Sequence, residues 1–205
     1  MTFSRYSLLG AAMLLASAGA ARACEDSPKA SVERFHAALL GVMKEAKALG
    51  TKGRYDRLAP EVTSCFDMRL MSRVATDSAW RDAGDADRET LVAAFSRMSI
   101  ATYASQFSGH DGESFETLAV VPGPQDTQLV KTRIVLSAKS PVPLTYVMKK
   151  TTNSPTLWRV ADILLDGDIS QLATRRSEYR ATLKDKGLAG LVATLNAKAE
   201  ELLVK

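Results

Sequence analysis

The hydrophobic pattern changes period near the middle of the chain, from three-and-four to two. In the first half, Val32, Phe35, Leu39, Val42, Met43, Ala46 and Leu49 recur at helical spacing and form one apolar stripe. Ser27-Pro28 supplies a capping hydroxyl and a first-turn proline, and Gly50 marks the end of the stripe. Arg54-Tyr55-Asp56-Arg57-Leu58 before Pro60 reads as a short turn of helix. Residues 64–74 put Phe66, Leu70, Met71 and Val74 on one side, and Asp77-Ser78-Ala79-Trp80 reads as a turn holding a large aromatic. From Asp85, a good cap residue, a long helix is expected to run to about Phe107. Its inner face carries Leu91, Phe95, Met98, Thr102 and Tyr103.

Beyond the glycine-containing stretch 108–112 the alternation predicts strands over 115–121, 127–136, 144–150 and 157–165. Pro122-Gly123-Pro124, Ser140-Pro141-Val142-Pro143 and Asn153-Ser154-Pro155 separate them. The second strand puts Val130, Thr132, Ile134 and Leu136 on one face, and the third groups Leu144, Tyr146 and Met148. In the fourth, Trp158, Val160, Asp162 and Leu164 share a side, with Leu157, Arg159, Ala161, Ile163 and Leu165 opposite. Short turns between consecutive strands imply a four-stranded antiparallel meander. Asp166-Gly167-Asp168 ends the last strand, and Ser170 is placed to cap a helix bearing Leu172, Arg176, Tyr179 and Leu183 near one face. After Gly187, Leu188, Leu191, Val192, Leu195, Ala199 and Leu202 form a closing amphipathic helix. The expected fold class is α+β: a four-stranded antiparallel meander packed against several amphipathic helices.

The first 23 residues stand apart. A basic start at Arg5, an apolar run over 8–18 and the small-x-small site Ala21-Arg22-Ala23 predict a signal peptide over 1–23, cut before Cys24. The run is too short for a membrane span. Acylation of Cys24 as a lipoprotein is the competing reading, which Arg22 fits poorly. The mature chain is then 24–205, in the size range of one domain. Cys24 and Cys65 are the two cysteines, and in an oxidising compartment their pairing stays open. The chain holds 27 basic and 23 acidic residues, and losing Arg5 and Arg22 lowers the net charge of +4 by two. So balanced a surface argues against a nucleic-acid partner.

Chemistry is sparse. His36 lies within the first helix beside Phe35, and His110 lies in a glycine-rich loop. Structural or solvated roles explain both. Asp162 and Asp166 read either as a carboxylate pair or as a capped strand end, and Asp67 as a bond to nearby backbone or an arginine. No GxSxG, HExxH, CxxC or Walker pattern occurs, so no catalytic residue, metal or cofactor is expected. Phe66, Met71, Leu91, Phe95, Met98, Tyr103, Tyr146, Met148 and Trp158 instead supply long, soft or aromatic side chains, which fill a dry core or line a cavity. Arg175-Arg176, with Arg180 and Lys184, is a solvated face or a contact for an anionic group.

The order of several short pieces resembles the MlaC (toluene-tolerance) family of periplasmic lipid-binding proteins. The pieces are Arg54-Tyr55 through Pro60, Phe66-Asp67, Met71-Ser72 followed by Trp80, Ala94-Phe95, Thr102-Tyr103-Ala104 and Tyr146-Val147-Met148. Trp158-Arg159-Val160-Ala161-Asp162, Gly167 with Ser170, Arg175-Arg176-Ser177-Glu178-Tyr179, and Gly187 before Leu191 and Leu195 complete the series over 31–205. Phe35-His36-Ala37-Ala38-Leu39-Leu40, Gly53-Arg54-Tyr55 and the run 169–178 resemble the hopanoid-associated branch, HpnM. Thr76-Asp77 stands where many relatives carry a glycine before the tryptophan, and Asn153-Ser154-Pro155-Thr156 replaces a glycine-containing turn.

The resemblance implies a periplasmic carrier that holds phospholipid or hopanoid tails in an apolar cavity between sheet and helices. It would exchange them with an inner-membrane lipid transporter and an outer-membrane lipid complex. Phe66, Met71, Leu91, Phe95, Met98, Tyr103, Tyr146, Met148, Trp158 and Val160 are its expected lipid contacts. Arg175 and Arg176 are the expected head-group or partner contacts. The alternative is a small α+β pocket enzyme acting on an apolar substrate.

Overall fold

The computed structural model describes residues 27–151 and 154–204. The expected signal peptide, the fate of Cys24 and its pairing with Cys65 lie outside these residues. Six helices and five strands follow in the order α1 (Pro28–Lys44), α2 (Ala46–Cys65), α3 (Met68–Thr76), α4 (Ser78–Asp82), α5 (Asp85–Gln106), β1 (Ser114–Pro122), β2 (Gln128–Val135), β3 (Val142–Thr151), β4 (Ser154–Leu165), β5 (Ile169–Ser170) and α6 (Gln171–Leu203). Among the described residues, no helix is long and apolar enough to cross a membrane.

Local chemistry sets the helix ends. The Ser27 side chain accepts from the Ala30 N–H and starts α1. The apolar stripe that reads as one helix is divided: α1 ends at Lys44, and residues 46–49 make one further turn before Gly50 bends the backbone at φ 60°, ψ 179°. The segment around Arg54 is not an isolated turn but part of α2, which carries Pro60 within it. Buried Arg54 stitches this kink together. Its Nε donates to the Ala104 carbonyl (2.7 Å), Nη1 to the Ala46 carbonyl (3.0 Å) and Nη2 to Thr51 Oγ1 (3.1 Å). Those bonds satisfy carbonyls left open near the kink and near the end of α5. Asp67 Oδ1 accepts from the Leu70 N–H at 2.9 Å, so α3 starts at Met68, not at Ser64. The expected turn at 77–80 forms the short helix α4, with Trp80 buried.

The sheet is a meander in the order β1-β2-β3-β4-β5, every neighbouring pair antiparallel. It has five strands where the alternation predicts four. Asp166 (φ 50°) and Gly167 (φ 98°) turn the chain back, and Ile169 and Ser170 pair with Leu165 and Leu164. Two residues are too few to show a period. Ser170 Oγ then accepts from the Ala173 N–H and caps α6. Gly187, at φ 63° and ψ −166°, kinks α6 where the final helix was expected to begin.

A bulge in β4 overturns the expected grouping of its side chains. Val147 faces Asp162 and Met148 faces Val160, so Ala161 is the extra residue. Beyond it the parity resets. Ile163 opposes Tyr146 and Leu165 opposes Leu144, which puts Val160, Ile163 and Leu165 on the core face, with Asp162 turned the other way. The corner between α2 and α3 docks on this strand. Phe66 forms a bridge with Val160, and the Asp67 N–H donates to the Val160 carbonyl at 3.0 Å.

One cluster joins the layers, built from Phe35, Leu39, Leu58, Phe66, Leu91, Phe95, Tyr146, Met148, Val160 and Leu191 among others. Helix α5 packs mainly on α2, α3 and α6, while α1, α2, α3 and α6 contact the sheet. The gap beneath α5 is where a pocket forms.

Candidate functional site

The pocket lies between the sheet and α5 and has a volume of about 260 Å³. The sheet contributes Phe115, Ile134, Val142, Leu144, Tyr146, Ile163 and Leu165. The helices and their corners contribute Leu39, Phe66, Met68, Met71, Ser99, Thr102, Tyr103, Gln106, Phe107, Gln171 and Arg175. The lining holds no aspartate or glutamate, and no group of metal-ligating side chains occurs among the described residues. The pocket is smaller than the roughly 300–1,000 Å³ usual for small-molecule sites, and smaller than the lipid-sized cavity expected from sequence.

Aromatic rings set this size. Phe66 meets Tyr103 at 5.8 Å, Tyr103 stacks with Phe107 at 6.0 Å, and Phe107 meets Phe115 at 6.3 Å between centroids. Phe115 stacks on His36 at 4.3 Å, and His36 meets Tyr146 edge-on at 5.3 Å. Phe35 closes the loop against Tyr146 (6.5 Å) and Phe66 (4.9 Å). Such edge and offset contacts hold the rings without filling the centre.

The phenols of the wall, and the His36 imidazole behind it, are kept neutral. Burial pushes the Tyr146 phenol well above its ordinary range, and neighbouring Tyr103 adds to the effect. Burial likewise raises Tyr103, partly opposed by the positive charge of Arg175. Burial lowers His36 to about 4, so its imidazole is uncharged at neutral pH.

Of the expected lipid contacts, Phe66, Met71, Tyr103 and Tyr146 line the pocket together. Leu91, Phe95, Met148 and Val160 are fully packed in the core, and Met98 and Trp158 lie partly buried against it. The two arginines diverge, as neighbours on a helix do. Arg175 lines the pocket with its guanidinium over the Phe95 ring at 5.5 Å, and its Nη1 donates to Tyr179 Oη at 3.3 Å. Arg176 turns outward to pair with Asp77. Asp162 is held structurally: its Oδ1 accepts from the Ile163 and Leu172 N–H groups, at 2.8 and 3.1 Å, and its Oδ2 from Ser170 Oγ. It ties β4 to the start of α6, whereas Asp166 sits exposed in the turn. His110 bonds the Glu113 carbonyl at 3.1 Å.

Sequence reasoning missed Phe107, Phe115, Ile134, Leu144, Ile163 and Leu165 as pocket residues. Ile134 and Leu144 were legible as inward-facing strand positions. Ile163 and Leu165 were hidden by the bulge at Ala161, which no alternation reveals.

A family model described as "MlaC protein" matches residues 33–197, most of the chain. Among solved structures, the chain is similar to a phospholipid-binding protein from Ralstonia solanacearum, determined in complex with a phospholipid. The TM-score is 0.71 at 18% identity, and the alignment covers 84% of this chain and 97% of that one. At that identity the likeness shows a shared fold.

Proposed function

This chain belongs to the MlaC family, and from that premise we propose that it is a periplasmic lipid carrier. It takes the tails of a phospholipid or a hopanoid into the pocket beneath α5 and carries them between inner-membrane and outer-membrane lipid machinery. Binding and transport, not catalysis, is its role. The reading is carried by one observation: a pocket between sheet and helices walled by apolar and aromatic side chains, with neutral phenols and one cation, Arg175. The relative of the same fold that was determined with a phospholipid supports it further.

The energetics explain why a carrier is needed. Burial is worth about 0.8 kcal/mol per methylene, so two long acyl chains moving bare through water face a cost on the order of 20 kcal/mol. An apolar pocket replaces one apolar surrounding with another, and transfer becomes nearly neutral. Direction then comes from the proteins at each end, which bind the loaded and empty carrier differently. A two-tailed guest does not fit in about 260 Å³, so loading widens the gap between α5 and the sheet. The Tyr103, Phe107 and Phe115 rings move apart in this step. The apolar and aromatic wall suits tails, and its one cation, Arg175, would face an anionic head group.

The test is lipid transfer between vesicles. Donor vesicles carrying a self-quenched fluorescent phospholipid are mixed with unlabelled acceptors and the full chain. Dequenching that rises in proportion to protein concentration supports a carrier. A rate equal to that without protein, for both phospholipid and hopanoid-loaded donors, removes the reading.

A further inference from the structure

A second concavity, of about 640 Å³, lies on the other side of α3 from the pocket. Met68 and Met71 line the pocket; Arg69, Leu70 and Arg73, between and beyond them, line this cleft. Arg88, Lys149, Lys150 and Arg159 complete its basic wall, with Trp80 and Thr151, and Asp67 is its one carboxylate. Asp67 Oδ1 is already engaged as the cap of α3. Arg69 pairs with Glu89 and Arg88 with Asp85, and both guanidinium groups lie over the Trp80 ring, at 5.3 and 5.7 Å. Arg73, Lys149, Lys150 and Arg159 form no ion pair among the described residues.

Two like-charge contacts converge here. Lys149 and Arg159 sit directly opposite each other across β3 and β4, an arrangement that repels. Arg69 and Arg73 are one helical turn apart on α3, where like charges also repel. In addition, Arg159 Nε is buried with no hydrogen-bond partner. A buried donor without an acceptor is uncommon, and it leaves the guanidinium of this cleft-lining residue incompletely satisfied. Cations that converge in a hollow favour a compact anion with several acceptor oxygens, because guanidinium groups grip such oxygens in pairs.

We propose that this cleft binds a phosphate-bearing anion, either the phosphodiester of a lipid head group or free phosphate, with Arg73, Lys149 and Arg159 as its ligands. The proposal does not depend on what fills the pocket beneath α5, since its probes carry no tails.

The full chain is titrated calorimetrically with inorganic phosphate and with glycerophosphoglycerol, a deacylated head group. Tryptophan emission is followed in parallel, since Trp80 lines the cleft and Trp158, the only other tryptophan, lies under Lys150 at 5.3 Å. Saturable one-to-one binding is expected, weakened about tenfold in Arg73→Gln and in Lys149→Gln by loss of one charge-assisted bond. Preference for glycerophosphoglycerol identifies the source as a head group; equal or tighter binding of phosphate identifies free phosphate. Thermal melts of both variants check their folding. Absence of saturable binding to the unaltered chain overturns the proposal, whatever the variants do. So does binding that both variants retain in full. Binding only to polyglutamate or to vesicles containing phosphatidylglycerol, with neither soluble probe bound, also overturns it and marks a docking surface instead.

Discussion

His36 on α1 and Tyr146 on β3 share a buried hydrogen bond, with Nε2 2.9 Å from the phenolic oxygen. The tyrosine ring faces the pocket while its hydroxyl is held from behind by a histidine that itself stacks on Phe115. Burial keeps that histidine at about 4, below its ordinary 6.5. As pH falls, the unfolded chain takes up this proton before the folded one does. The stability due to neutral His36 is therefore complete above about pH 6.5 and declines between 6.5 and 4. We expect urea unfolding to show a loss on the order of 2 kcal/mol from pH 7 to pH 5 attributable to this residue. His36→Gln should flatten the slope over that interval, and an unchanged slope would assign the pH dependence elsewhere.

Tyr146→Phe leaves the imidazole without a partner in apolar surroundings. It should cost about 1–3 kcal/mol in urea unfolding. Tyr103→Phe is the control, because Tyr103 lines the same pocket but takes no part in the bond between His36 and Tyr146. It should shift stability by less than about 0.5 kcal/mol. Equal losses in the two variants would show that the bond between His36 and Tyr146 contributes nothing beyond packing.

Asp77 holds a positive φ of 45° between α3 and α4, a conformation that favours glycine. Here the aspartate is engaged by Arg81 and Arg176, two exposed ion pairs worth about 0.2–1 kcal/mol each. Relief of backbone strain is worth about 1–2 kcal/mol, so Asp77→Gly should be neutral to slightly stabilising. Asp77→Ala keeps the strain and loses both pairs. Thermal melts should rank glycine above alanine by about 1–2 kcal/mol, and the reverse order would mean that the backbone at this corner carries no such strain.

Much of this architecture was legible in the chain. The α+β class, the antiparallel meander, the Ser27 cap and the breaks at Gly50 and Gly187 follow from period and from residues with strong backbone preferences. Two kinds of feature were not legible. One is a change of register: the extra residue at Ala161 turns Ile163 and Leu165 inward, and a pattern of period two cannot show where it slips. The other is tertiary override. Arg54 reads only as part of a short turn of helix, with nothing in the pattern to show that it is buried where carbonyls from two helices converge on it. The site was half legible for the same reasons. Phe66, Met71, Tyr103 and Tyr146 were found by chemistry, whereas Leu91 and Phe95 have similar chemistry and are in the core. Composition alone does not separate a wall from a filling.

Blocking the pocket should act on occupancy and not on folding. Thr102 lines it from α5 and is only half-buried, so Thr102→Trp places a large ring in the space with little strain on the core. Lipid recovered per protein should fall severalfold, with a melting temperature close to that of the unaltered chain. Undiminished lipid in a folded variant would place the guest elsewhere.

Native mass spectrometry of the gently purified full chain, followed by lipid extraction of the same sample, tests the central claim most directly. The account predicts a population heavier than the bare chain by the mass of one lipid, with a phospholipid or hopanoid in the extract. Bare chain alone in every preparation, including after incubation with vesicles, would contradict it.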